Sequence, residues 1–159
     1  MKRHWSYLKY VVRHKWFVFL ACRKCGVSWW RAVIHDWHKF TPGEWFPYAE
    51  TFYLKDGRTQ YKETDGFAYA WNAHQKRGKH HYQYWMLTWD RGDTKCLRMP
   101  EKYVREMVAD WYGAGRAITG KWDALSWFNK KRQEQSLHLH PITQHEVEWL
   151  INQTKDTFK

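Results

Sequence analysis

From residue 3 to residue 24 apolar and aromatic side chains return at helical spacing: Tyr7, Tyr10, Val11, His14, Phe17, Val18 and Ala21. That period commits the start of the chain to one long amphipathic helix, and the remainder must supply faces that cover its stripe. Gly26 ends this helix. Ser28 stands as a cap for a second helix over 29–39. Thr41-Pro42-Gly43-Glu44 has capping-box spacing with proline at the first helical position, and opens a third helix over about 42–54. Thr64 or Asp65 starts a fourth, running to about Gln75, and the Tyr- and Trp-rich segment 81–89 reads as helical or irregular. Pro100 opens a helix over 101–112 with Val104, Met107, Val108 and Trp111 on its apolar face, stopped by Gly113 and Gly115. Two more follow, 121–133 and 144–153, the last with Thr143 and Glu146 repeating the capping-box spacing. Residues 55–64 and 90–99 read as polar loops, and no convincing strand is found. The expectation is an all-α fold, a single domain over 1–159 with seven or eight helices.

The chain carries 13 Trp, so its core must be built largely from big rings, some of which can line a pocket. Lys and Arg number 27 against 16 Asp and Glu, a net charge of +11 dispersed along the chain. Such a surface attracts nucleic acid, nucleotides or other phosphorylated substrates. Cys22, Cys25 and Cys96 lack the second pair that a cysteine-held zinc needs and read as reduced thiols of a cytosolic protein. The uncharged run from Trp16 to Cys22 is too short for a bilayer, which takes about 20 residues. No membrane partner and a cytoplasmic location are expected, in the host cytoplasm if the protein is phage-encoded.

Chemistry gathers around Ile34-His35-Asp36-Trp37-His38-Lys39-Phe40. On a helix, adjacent His35 and Asp36 point about 100° apart and can flank one point in space, with Lys39 one turn on. His14 lies on the apolar stripe, where a lone histidine is ordinarily a satisfied core residue unless other ligands converge. They are available: His74, then His80-His81 in the cationic turn with Arg77 and Lys79, then Asp110 near a helix C-terminus, where the dipole disfavours a carboxylate. Imidazole and carboxylate suit Zn, Fe, Mn, Ni or Co. Five or six such ligands are too many for one open tetrahedral site and suit two ions sharing a carboxylate, an arrangement fitted to phosphoester cleavage. His4, His38, His138, His140 and His145 are assigned to the surface or to supporting roles.

The order His … His-Asp-x-x-Lys … His … His-His … Asp resembles the HD-domain superfamily of metal-dependent phosphohydrolases, over roughly residues 10–112. The His80-His81 pair resembles the branch that cleaves cyclic dinucleotides. The blocks at 35–40, 70–74 and 107–111 are similar to a small group of uncharacterised bacterial and bacteriophage proteins. The superfamily resemblance implies an HD-like helical bundle and one or two divalent ions. His14, His35, Asp36 and Asp110 would hold one ion, and Asp36 would bridge to a second held by His74 and His80 or His81. It further implies that Asp36 and Lys39 are catalytic, and that Lys39, Arg77 and Lys79 bind substrate phosphates. The short interval between His74 and His80-His81 departs from the pattern and leaves a one-ion site open.

The expected function is a metal-dependent phosphohydrolase or phosphodiesterase acting on a nucleotide, cyclic nucleotide or nucleic-acid phosphate. Two alternatives accompany it: a non-enzymatic basic protein that binds nucleic acid or nucleotides, and an HD-fold di-iron oxygenase.

Overall fold

A computed structural model of the chain describes residues 1–158. Among these, seven α-helices dominate: α1 (Lys2–Lys24), α2 (Trp29–Ile34), α3 (Pro42–Phe52), α4 (Asp65–Arg77), α5 (Glu101–Thr119), α6 (Ala124–Gln133) and α7 (Pro141–Thr154). The all-α expectation holds at that level. α1 and α5 are the central pair; α2 and α3 pack on α1, α4 on α3, and α6 and α7 on α5. No helix among the described residues is long and apolar enough to cross a membrane.

The stripe on α1 is covered in two halves. Tyr7 and Val11 lie in a cluster with Tyr48 and Ala49 of α3 and Ala70 of α4. Val18, Ala21 and Cys22 lie in a larger one with Val104, Met107 and Val108 of α5, Phe128 of α6 and Val147 and Ile151 of α7. His14 falls between the two. Cys22 and Cys25 are free and buried, and burial pushes the Cys25 thiol up to about 12.

The expected helix over 29–39 is broken. α2 stops at Ile34, Asp36 takes a left-handed conformation (φ 51°), and Trp37–Phe40 form a 3-10 turn. Left-handed backbone costs most residues roughly 1–2 kcal/mol, and aspartate is among the few that adopt it routinely. Beyond the break both His35 and Asp36 are buried.

Gly113 and Gly115 do not stop α5, which runs on to Thr119 and ends at left-handed Gly120. Gly113 is a packing glycine: a Cβ there would lie 2.5 Å from the Val18 backbone nitrogen. Asp110 is therefore mid-helix and the dipole argument for it falls. A hairpin, β1 (Met86–Thr88) with β2 (Thr94–Cys96), occupies part of the expected irregular segment and polar loop, after a 3-10 turn at Tyr82–Trp85. Strands of three residues are too short to show a period of two.

Neither expected capping box forms, and Ser28 makes no side-chain cap bond. The Thr41 hydroxyl donates to the His38 carbonyl at 2.7 Å, and Glu44 turns into the core. α7 starts at Pro141, capped by His140; Thr143 accepts from the Met99 amide at 2.9 Å, and Glu146 pairs with Arg98 at 2.6 Å. Long-range partners took Glu44, Thr143 and Glu146, and a local carbonyl took Thr41.

Candidate metal centre

Five parts of the chain converge between the two apolar clusters. α1 brings His14, the break after α2 brings His35 and Asp36, and the 3-10 turn brings Lys39. The end of α4 and the turn beyond it bring His74, His80 and His81, and α5 brings Asp110. His14, His35, Asp36, Lys39, His74 and His80 are buried, and Asp110 and His81 nearly so.

The contacts fall into two groups that share Asp36. In the first, His14 Nε2 lies 3.5 Å from Asp36 Oδ2 and 3.4 Å from Asp110 Oδ1. His35 Nε2 lies 3.6 and 3.4 Å from the same two oxygens. In the second, Asp36 Oδ1 faces His74 Nε2 at 3.5 Å and His80 Nε2 at 3.3 Å, with His81 alongside. Ligands about 2.1 Å from a common ion stand about 3.0 to 3.4 Å from one another. The observed spacings match that geometry more closely than hydrogen bonding. His14 Nε2, His35 Nε2, His80 Nε2 and Asp110 Oδ1 are all buried without a hydrogen-bond partner. Buried polar atoms are ordinarily satisfied, so four orphans aimed at one region point to a ligand. Every expected metal residue is thus in one or both of these two groups; a third group able to hold an ion, His35, His80 and Glu106, overlaps them, and the donor set of imidazole and carboxylate, without thiolate, fits Zn, Mn, Fe, Co or Ni.

Two buried glutamates supply what the sequence reading missed. Glu106 Oε1 lies 3.1 Å from His35 Nδ1 and 3.6 Å from His80 Nδ1. Glu44 Oε2 lies 2.8 Å from His74 Nδ1. Glu106 is within hydrogen-bond distance of His35 Nδ1 and Glu44 of His74 Nδ1, so each carboxylate can fix the outer ring nitrogen and leave Nε2 pointing inward, the orientation a metal-ligating histidine needs. Arg31 and Arg77 in turn hold Glu106 and Glu44. Glu106 had a signal, since it lies one helical turn before Asp110 on the same face. Glu44 had none, because its position suits a capping box equally well.

The electrostatics follow from burial and crowding. Burial lowers the pKa of His14 and His81, and the neighbouring His80 lowers that of His81 further. Burial also opposes a proton on His35, yet the carboxylates of Asp36, Asp110 and Glu106 outweigh it and raise its pKa to about 10. Burial alone would raise the carboxyl pKa of Asp36, but His35, Lys39 and His74 hold it well below the usual range. Asp110 is likewise held down against burial by His35 and His14. Lys39 Nζ sits 2.7 Å from Asp36 Oδ2 and 5.6 Å from the Tyr48 ring centre; burial opposes its charge, and Asp36 more than restores it. Lys39 and the protonated His35 balance the two inner carboxylates, and an ion that displaces the His35 proton leaves two carboxylates against one lysine, which favours a cation.

Two cavities reach this centre. One of about 630 Å³ is lined by His14, Lys39, His81 and Asp110 on one side and by rings such as Tyr10, Tyr48, Phe67 and Trp71 on the other. A smaller one of about 200 Å³ is lined by His35, Asp36, His80, Arg77 and Lys79. Lys39 and the Arg77–Lys79 pair, expected to act on one substrate, therefore open onto different cavities.

Glu106→Gln keeps the shape and removes the negative charge that fixes two histidines. We expect metal affinity to fall about 10- to 100-fold, measured by competition with a chromogenic chelator, with the fold retained by circular dichroism. Unchanged affinity would show that the glutamate serves packing alone.

No match was found among curated proteins or among solved structures. The model of a family of unknown function, DUF5662, matches residues 3–153, a span that includes every ligand position above and both buried glutamates; the chain belongs to that family.

Proposed function

We propose that this protein is a metal-dependent phosphohydrolase or phosphodiesterase of the HD type. The observation that carries the reading is the convergence of unpartnered histidine and carboxylate atoms, at ligand spacing, on both oxygens of Asp36. The first ion would rest on His14, His35, Asp36 and Asp110, and the second on Asp36, His74, His80 and His81. A divalent ion supplies Lewis acidity toward a phosphoryl oxygen and acidifies water near neutral pH.

The rest is done by the chain. Glu44 and Glu106 orient the rings of His74 and His35. Lys39 stays protonated against Asp36, so it cannot serve as a base; its charge, lining the large cavity beside Asp110, stabilises negative charge on a phosphoryl group. The rings of that cavity offer faces for a nucleobase. Arg77, half exposed in the smaller cavity, and Lys79 attract anions to the far side of the centre.

The test is hydrolysis of p-nitrophenyl phosphate and bis(p-nitrophenyl) phosphate by chelator-stripped protein, with Mn, Fe, Co, Ni or Zn added back. Turnover that appears only with metal, and is lost in Lys39→Met, is the expected result. Metal-loaded protein that turns over neither ester, nor a panel of nucleotides, would overturn the reading.

A further inference from the structure

The large cavity at the metal centre, about 630 Å³, has neighbours. It shares Tyr10 and Phe52 with a second cavity of about 520 Å³, which is also lined by Ser6, Lys9 and Arg13. That one shares Lys9 and Arg13 with a third of about 410 Å³, whose other walls are Trp5, Leu8, Val12 and Trp16. The linings thus pass round α1, from the buried face of His14 and Tyr10 through Lys9 and Arg13 to the exposed face of Trp5 and Trp16. Lys9 stands 5.2 Å from the ring centre of Trp5 and Arg13 5.7 Å from that of Phe17. Neither cation has a carboxylate partner within ion-pair distance among the described residues. Trp5 and Trp16 are each 58% exposed. Large rings left in water, beside unpaired cations and leading to a catalytic cavity, need an explanation that core packing does not give.

We infer that the substrate is a single-stranded oligonucleotide. One phosphodiester lies at the Asp36 cluster with a base among the rings of the large cavity, and further phosphates and bases follow Lys9, Arg13 and the exposed tryptophans of α1. The catalytic half of this inference rests on the proposed hydrolase. A mononucleotide would use only the first cavity, and a duplex could not offer its base faces to the rings. The net charge of +11 suits a polyanion. In the reaction the oxygen of water forms the new bond to phosphorus and the bond to the leaving sugar oxygen breaks. One proton of the water ends on that sugar oxygen and the other goes to solvent. An anionic membrane would also attract tryptophan and lysine, but it would not explain the ring-lined cavity at the metal centre, whose wall residues Tyr10 and Phe52 also line the next one.

The experiment is fluorescence anisotropy with a labelled oligothymidylate of about twelve nucleotides, on wild type and on Lys9→Glu/Arg13→Glu. Metal content and melting temperature are measured on both. We expect the double variant to bind about tenfold weaker or worse, with a shallower salt dependence and unaltered metal content. Thymidine monophosphate should compete poorly, and phosphatidylglycerol vesicles should not capture the protein. Three results would overturn the inference: affinity within twofold of wild type, thymidine monophosphate competing as well as the oligomer, or capture by vesicles without oligomer binding. If wild type carries no metal but shows oligomer binding that depends on Lys9 and Arg13, the track stands and the hydrolase fails. If metal and ester hydrolysis are present without oligomer binding, the reverse holds.

Discussion

A Gly113→Ala variant is expected to melt about 6 °C below wild type, although alanine is the better helix former. On propensity alone the change would add about 1 kcal/mol. The new methyl would lie 2.5 Å from the Val18 backbone nitrogen and 2.6 Å from its Cα, atoms that no rotamer change can move. α1 and α5 would have to separate by nearly 1 Å, and overpacking of this kind costs about 3 kcal/mol. The net loss of about 2 kcal/mol corresponds to that fall in melting temperature for a domain of this size. The same contact sets the metal centre. His14 is one turn before Val18 and Asp110 one turn before Gly113, so separation of the helices widens the 3.4 Å gap between those two ligands. Metal affinity should fall with stability. Gly43→Ala, where a Cβ meets nothing within 4 Å, is the control and should leave both unchanged. A melting temperature for Gly113→Ala at or above wild type would show that the helix contact is not as close as described.

Asp36→Asn should have the largest functional effect, because Asp36 is the only residue common to both inner ligand groups. Losing an orienting partner costs about 10- to 100-fold in metal affinity; losing a shared ligand's charge should cost more and remove both ions together. Purified Asp36→Asn should carry no metal above background by elemental analysis and show no metal-dependent ester hydrolysis. A second effect accompanies this one. Lys39 loses its partner at 2.7 Å, and a buried charge left unpaired destabilises by about 3–5 kcal/mol. Adding Lys39→Met removes that charge. The double variant should regain stability without regaining metal, which separates the ligand role from the ion pair. Full metal content in Asp36→Asn, with the fold intact, would be incompatible with Asp36 as the bridge.

The convergence of the candidate ligands was more legible in the sequence than the backbone that presents them. His14, His35, Asp36, His74, His80, His81 and Asp110 all reach one region, because the residue types that ligate metals are costly to bury for any other purpose. The local route was read less well. A continuous helix through His35 and Asp36 was expected, whereas the helix ends at Ile34, ahead of both, and Asp36 takes a left-handed backbone that no periodicity reveals. Gly113 was read as a helix stop because glycine serves both as terminator and as close-packing residue, and only the facing helix decides which. Glu44 and Thr143 sat at positions suited to capping, and long-range partners took both side chains. Glu44 and Glu106 could not be distinguished from surface acids by composition, yet they hydrogen-bond His74 and His35, and Glu106 also lies near His80.

The central claim is that two cations lie on either side of Asp36. Anomalous scattering from crystals of metal-replete protein tests it most directly. The account predicts two peaks, one among His14, His35, Asp36 and Asp110 and the other among Asp36, His74, His80 and His81. No peak at Asp36 from protein grown with saturating metal, or ions bound only at exposed sites such as His138 and His140, would contradict it.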